Sequence, residues 1–181
     1  MKRAIVQPAT LSGAALNELK QWLGIASSAE DEALVSLLHV GLGTCEAFIG
    51  QMPIETECRE IFGPGTGWQA ISSRPVRAIT NVDQVMDDGT FALFDAGEYE
   101  VEIDHLGTGR FRCISSRQER AVAVRYIVGL TESWATLPDG LRHGIVRIAA
   151  HHYRDRDAVK PLQLPASVAA LWNPWRQVRL A

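Results

Sequence analysis

The chain has 181 residues, 46% of them hydrophobic and 22% charged, with a formal net charge of −3. This is the composition of an ordinary globular protein long enough to bury a real core, and one compact domain with extended ends is the expected form. So small a net charge argues against a protein that coats nucleic acid with its whole surface.

At the N-terminus, Met1-Lys2-Arg3 is followed only by Ala4-Ile5-Val6 before Gln7 and Pro8, so the apolar stretch of a secretory signal is missing. No uninterrupted run approaches the roughly 20 apolar residues that span a bilayer. Ser12 is placed to cap a first helix through Leu23, with Ala15, Leu16, Leu19, Trp22 and Leu23 at helical spacing and Gly24 as its stop. Ser27 and Glu30 read as a capping box for a second helix. Its apolar residues Leu34, Leu38, Leu42, Cys45 and Ile49 predict one buried face up to Gly50.

From about Glu57 to Gly129 the pattern turns to β-branched and aromatic segments separated by turn residues. The expected strands are 58–62, 76–86, 90–94, 99–104, 110–114 and 121–128, a small antiparallel β-unit. Asp87-Asp88-Gly89 and Gly107-Thr108-Gly109 suit hairpin connections. Leu137-Pro138-Asp139 opens a further helix, whose inner face is Leu141, Ile145, Ile148 and Ala149. On another face His143, Arg147, His151 and Arg154 line up. Beyond Lys160-Pro161, a proline-punctuated segment carries Trp172, Trp175, Arg176 and Arg179 and needs a surface to bury its tryptophans.

Charge is unevenly spread. Residues 141–181 hold seven Lys or Arg against Asp155 and Asp157, giving +5, while the remaining 140 residues carry 11 basic and 19 acidic groups, giving −8. Such polarity suits docking to an acidic partner, with a solvated basic helix as the plainer alternative.

Known catalytic and ligand-binding patterns do not assemble. Gly63-Pro64-Gly65-Thr66-Gly67 lacks the Lys-Ser/Thr pair of a phosphate loop and reads as a hairpin turn. Adjacent His151 and His152 point roughly 100° apart on a helix, and His143 and His151 are about 12 Å apart along one, so neither pair closes on a metal. Cys45, Cys58 and Cys113 are odd in number, scattered and without a Cys-x-x-Cys spacing, as reduced cytoplasmic thiols would be. Glu98, Glu100 and Glu102 alternate with Tyr99, Val101 and Ile103 like the outer face of a strand. Asp104 at a turn is a turn stabiliser rather than part of a triad, since no nucleophile elbow accompanies it. The terminal Trp/Arg cluster could stack bases, but Trp and Arg are also the residues of protein interface hot spots, and protein contact is the reading adopted. No catalytic residue, cofactor or metal is expected.

The order of these segments resembles the head–tail connector, or adaptor, proteins of long-tailed phages and phage-derived gene transfer agents. The likeness is carried by Leu19-Lys20-Gln21-Trp22-Leu23 before Ala33-Leu34-Val35-Ser36-Leu37-Leu38, by Ser73-Arg74-Pro75-Val76 and by Tyr126-Ile127-Val128-Gly129-Leu130. It continues in Leu137-Pro138, in Ile148 to Arg156 and in Leu171-Trp172-Asn173-Pro174-Trp175-Arg176. The resemblance implies an α+β, mainly helical fold: a single connector domain over 1–160, with helices 12–23, 29–49 and 138–154 around a β-rich insertion at about 57–129, then a C-terminal tail or short helix at 161–181. It implies a non-enzymatic ring, dodecameric to match the portal, whose subunits bury helical faces laterally around an axial channel. Its partners would be the portal, copies of itself, the next tail component (a stopper or tail terminator), and DNA passing without sequence recognition. No membrane is involved. The protein would be made in the bacterial cytoplasm and reside at the head–tail junction of a particle. Arg154, Arg156, Trp172, Trp175, Arg176 and Arg179 are the expected portal or subunit interface. The alternative is a small binding module with an unknown partner.

Overall fold

The computed structural model describes residues 2–95, 97–114, 120–155 and 164–177. The chain divides into two compact units, one formed by Met1–Ala9 with Glu55–Leu130 and the other by Thr10–Ile54 with Thr131–Ala181.

The first unit is all β. A five-stranded antiparallel sheet runs in the order β1 (Lys2–Gln7), β2 (Thr56–Phe62), β8 (Val122–Val128), β4 (Val76–Val85), β5 (Phe91–Leu93). A three-stranded sheet contains β3 (Gln69–Ala70), β7 (Gly109–Cys113) and β6 (Tyr99–Ile103) in that order. Alternation selects the core: Thr56, Cys58, Glu60 and Phe62 of β2 and Gly109, Phe111 and Cys113 of β7 are buried. Phe62 and Phe111 meet edge to face at 4.7 Å, so the two sheets close on each other through aromatic side chains. Gly109 leaves room for this packing, since a Cβ there would lie 3.0 Å from side-chain carbons of both Ile71 and Val76.

The hairpins at 86–90 and 103–109 use left-handed glycines, Gly89 at φ 82° and Gly107 at φ 72°. Asp104 braces the second, its Oδ1 accepting from the backbone N–H of Leu106 and Thr108. The glycine-rich loop at 63–67 is not a hairpin, contrary to expectation. It carries the chain from β2 in one sheet to β3 in the other.

The second unit is helical. α1 (Gly13–Leu23) and α2 (Asp31–Ile49) pack with α3 (Asp139–Arg154) and α4 (Ala166–Trp172). Gly24 ends α1 with φ 73°, and the N–H groups of Gly24 and Ile25 close on the carbonyls of Gln21 and Lys20. Gly50 ends α2 in the same conformation. The expected Ser27/Glu30 capping box is not formed. Ser27 Oγ accepts from the N–H of Ala29, and the Glu30 carboxylate takes the hydroxyl of Tyr153 in α3, a tertiary partner that the local pattern does not reveal.

By length and composition alone α2 could cross a bilayer, a property that counting uninterrupted apolar runs missed. Here its stripe of Leu34, Leu38, Gly41, Leu42, Cys45 and Ile49 is buried within the helical unit. α2 and α3 approach so closely at Gly41 that a Cβ would sit 2.9 Å from the carbonyl oxygen of Ile145.

The expectation of a mainly helical fold is therefore corrected: of the described residues 37% are helix and 29% strand, in four α-helices and two antiparallel sheets. The strand-rich middle, Glu55–Leu130, forms a compact unit together with Met1–Ala9. It thereby recruits β1, whose six residues flank no turn signal and gain their extended form from pairing with β2.

Candidate protein-interaction surfaces

The segment read as an exposed aromatic–basic tail is anchored in the helical unit. Trp172 is fully buried and lies against Gly144 of α3, with Nε1 donating to the carbonyl of Leu141 at 3.4 Å and the indole 5.9 Å from the Phe48 ring. Gln51 Nε2 donates to the carbonyl of Trp175, and the N–H of Gln177 donates to the carbonyl of Ile49, each at 3.0 Å. This ties the segment to the C-terminal end of α2. Trp172 is thus a core residue, and the outward-facing side chains are Trp175, 37% exposed, and Arg176, whose guanidinium lies 5.4 Å from the Phe48 ring centre. Arg156 and Arg179 lie outside the described residues.

Arg154 is exposed at the C-terminal end of α3, where a cation complements the helix dipole. Acidic residues lie beside several of the basic groups of α3. Arg142 pairs with Asp139 at 2.6 Å and Glu18 at 3.5 Å, and His151 Nδ1 lies 2.8 Å from Asp155. Arg147 and Arg154 have no ion-pair partner among the described residues.

Trp22 belongs to the apolar stripe of α1, yet it is 43% exposed and packs edge to face on His143 at 5.2 Å. It separates two open hollows of about 510 and 330 Å³, the first bordered by Glu18, Arg142 and His143 and the second by Arg147, His151 and Arg154. Helical spacing alone could not show this, because the stripe is wider than the face that α1 buries through Ala15 and Leu19.

The main buried polar cluster lies in the β unit. Glu60 Oε2 accepts from the N–H and hydroxyl of Ser72, each at 3.0 Å, and from the phenol of Tyr126 at 3.3 Å, while Arg3 donates to Ser73 Oγ at 3.0 Å. Burial pushes the Tyr126 phenol well above its ordinary range, which makes it a fixed hydrogen-bond donor rather than a proton-transfer group at neutral pH. The cluster fastens residues 72–73 to β2 and β8. On the outer face of the small sheet, Glu100–Arg112 and Glu102–Arg110 form cross-strand ion pairs at 2.6 and 2.7 Å, and both arginines lie over Trp68. Among the described residues no group of three or more His, Cys, Asp or Glu side chains converges to hold a metal ion.

No protein-family model matches the chain, and no curated protein sequence does. Solved structures do. A chain in "Neck of empty GTA particle computed with C6 symmetry" matches at TM-score 0.73 and 22% identity, covering 100% of this chain and 98% of that one. This chain has the fold of a gene transfer agent particle chain. The same identity and coverage hold for chains in "Virion of native gene transfer agent (GTA) particle" at TM-score 0.72 and in "Neck of native GTA particle computed with C12 symmetry" at 0.70.

Proposed function

We propose that this protein is a structural component of the neck of a phage-like particle. In this reading it is a head–tail connector that forms a ring between portal and tail, with DNA passing along the axis without sequence recognition. The observation that carries this reading is the fold likeness over the whole chain to chains of gene transfer agent neck and virion structures. Neck assemblies computed with six- and twelvefold symmetry support a rotational arrangement of copies, and twelve would match the portal. The protein acts by contact rather than catalysis. The portal contact is assigned to Trp175 and Arg176, with Arg179 beyond the described residues, and Trp172 supports that surface from the core; Arg154, beside Tyr153 at the other end of α2, and Arg156 are assigned to the contact between subunits.

Negative-stain electron microscopy of the purified protein with its cognate portal tests the role. A rotationally symmetric collar on the narrow end of the portal is the expected result. No association across salt and concentration series would overturn it. Truncation after Leu171 is a poor probe of the contact, because it also removes a core side chain. Trp175→Ala with Arg176→Ala leaves that core in place and should weaken portal binding about tenfold or more if these are hot-spot residues. Undiminished binding by the double variant would move the contact elsewhere.

A further inference from the structure

The five-stranded sheet ends in β1 on one side and β5 on the other, and among the described residues no further strand pairs with either, although a bulge between Ile5 and Gln7 and the shortness of β5 limit how long an added ladder can be. At one end, β1 has no buried side chain from Arg3 to Gln7, and Ile5 and Val6 are 53% and 39% exposed. The strand is laddered to β2 on one side only. At the other end, β5 exposes Leu93 by 75% and Phe91 by 41%. The hydrogen bonds Met86 N–H to Thr90 O and Phe94 N–H to Val82 O lie on the β4 side. Strand alternation therefore turns the N–H and C=O of Phe91 and Leu93 outward, along the free edge.

The two edges are also opposite in charge. β1 begins with Lys2 and Arg3 and contains no acidic residue. β5 is bracketed by Asp87, Asp88 and Asp95, all exposed; Asp87 also pairs with Arg120 at 3.1 Å and Arg59 lies over the Phe91 ring, so Asp88 and Asp95 are the carboxylates available to a basic strand. Whichever way a β1 strand runs along β5, its basic end meets a carboxylate and its apolar middle meets Phe91 or Leu93.

We infer that β1 of one copy adds to β5 of the next, so that the sheet continues from subunit to subunit; the inference rests on the ring reading above. A ring of more than two copies requires two different, mutually complementary surfaces on each chain, and the two ends of one sheet are such a pair. Strand addition supplies the backbone hydrogen bonds, and the side chains of Ile5, Val6, Phe91 and Leu93 supply burial. Because β5 has only three residues, each contact is short, and closure of the ring adds the contacts together.

The test uses Ile5→Cys and Leu93→Cys, each in the full chain with a distinguishable tag. The native Cys45, Cys58 and Cys113 are buried and do not compete for oxidant. The variants are mixed under mild oxidation, once in solution at high protein concentration and once with the cognate portal. The mixed Ile5→Cys/Leu93→Cys disulfide dimer should exceed either homodimer, and a Leu106→Cys control, by about tenfold or more. Phe91→Pro, added to the Leu93→Cys chain, removes an outward N–H without removing a ladder bond to β4 and should abolish the excess of mixed dimer. No excess of mixed dimer in either setting overturns the strand contact, and an excess of homodimers replaces it with a self-complementary dimer. A collar without the cross-link leaves the connector role standing and removes this contact. The cross-link without a collar does the reverse.

Discussion

The indole of Trp172 occupies the space where a Cβ on Gly144 would have to sit, 2.2 Å from Nε1 and 2.6 Å from Cε2. α4 and α3 can pack at this distance only because position 144 has no side chain. In an exposed helix, alanine is favoured over glycine by about 1 kcal/mol, so Gly144→Ala would ordinarily stabilise α3. Here the clash reverses the sign, and a loss of about 1–3 kcal/mol is expected, read from the urea midpoint by circular dichroism at 222 nm. A midpoint that rises would show that the indole does not lie over Gly144.

Trp172 and Trp175, three residues apart, should behave oppositely. Trp172→Ala empties a fully buried site and should cost about 3–5 kcal/mol of stability. Trp175→Ala, at a side chain 37% exposed, should shift the unfolding midpoint far less and act on portal affinity instead. Thermal melts of the two variants alongside portal pull-downs separate the roles, and equal melting temperatures would contradict the assignment.

Tyr126 makes stability sensitive to high pH. Its phenol is held above the ordinary value of 10 by burial, so below pH 10 both folded and unfolded chains keep the proton and stability is unaffected. As pH rises past 10 the unfolded chain ionises while the folded chain resists, and stability falls. Urea midpoints measured from pH 8 to 11 should decline above pH 10, and Tyr126→Phe should flatten that decline. The same variant should cost about 1 kcal/mol at neutral pH through loss of the hydrogen bonds to Glu60 and Ser73.

Cys45 is pushed up to about 12 by burial, and Cys58 and Cys113 are buried as well. The thiolate is the reactive form, so native protein at pH 8 should react slowly with a thiol reagent such as Ellman's. Three thiols per chain should titrate in denaturant and fewer than one within minutes in the native state. Rapid reaction of any thiol in the native protein would place that cysteine at the surface.

The helices were legible because their signals are local. The four-residue recurrence of Leu34, Leu38 and Leu42 marks a buried face wherever it is packed, and Gly24 and Gly50 stop helices through their own left-handed backbone. The hairpins at Asp87-Asp88-Gly89 and Gly107-Thr108-Gly109 were legible for the same reason, as was the role of Asp104. β1 was not legible, because Lys2–Gln7 carries no alternation or turn, and its partner β2 begins about fifty residues later. The helix-rich expectation failed at this point, since a sheet made of distant segments leaves little trace in any one of them.

For the surface, the residue types alone pointed to Trp and Arg as contact groups, but composition does not say which of them face outward. Trp172 and Trp175 lie in the same short segment and end on opposite sides of that question, because only one of them meets the bare backbone of Gly144. Trp22 shows the converse, an apolar residue at core spacing left exposed because α1 buries only a narrow strip. The sequence by itself determined where helices begin and end and where the chain turns, since those choices depend on neighbours in the chain. Which strands share a sheet, which edges stay open and which tryptophans reach solvent were decided by tertiary structure, because each depends on groups that only folding brings within contact distance.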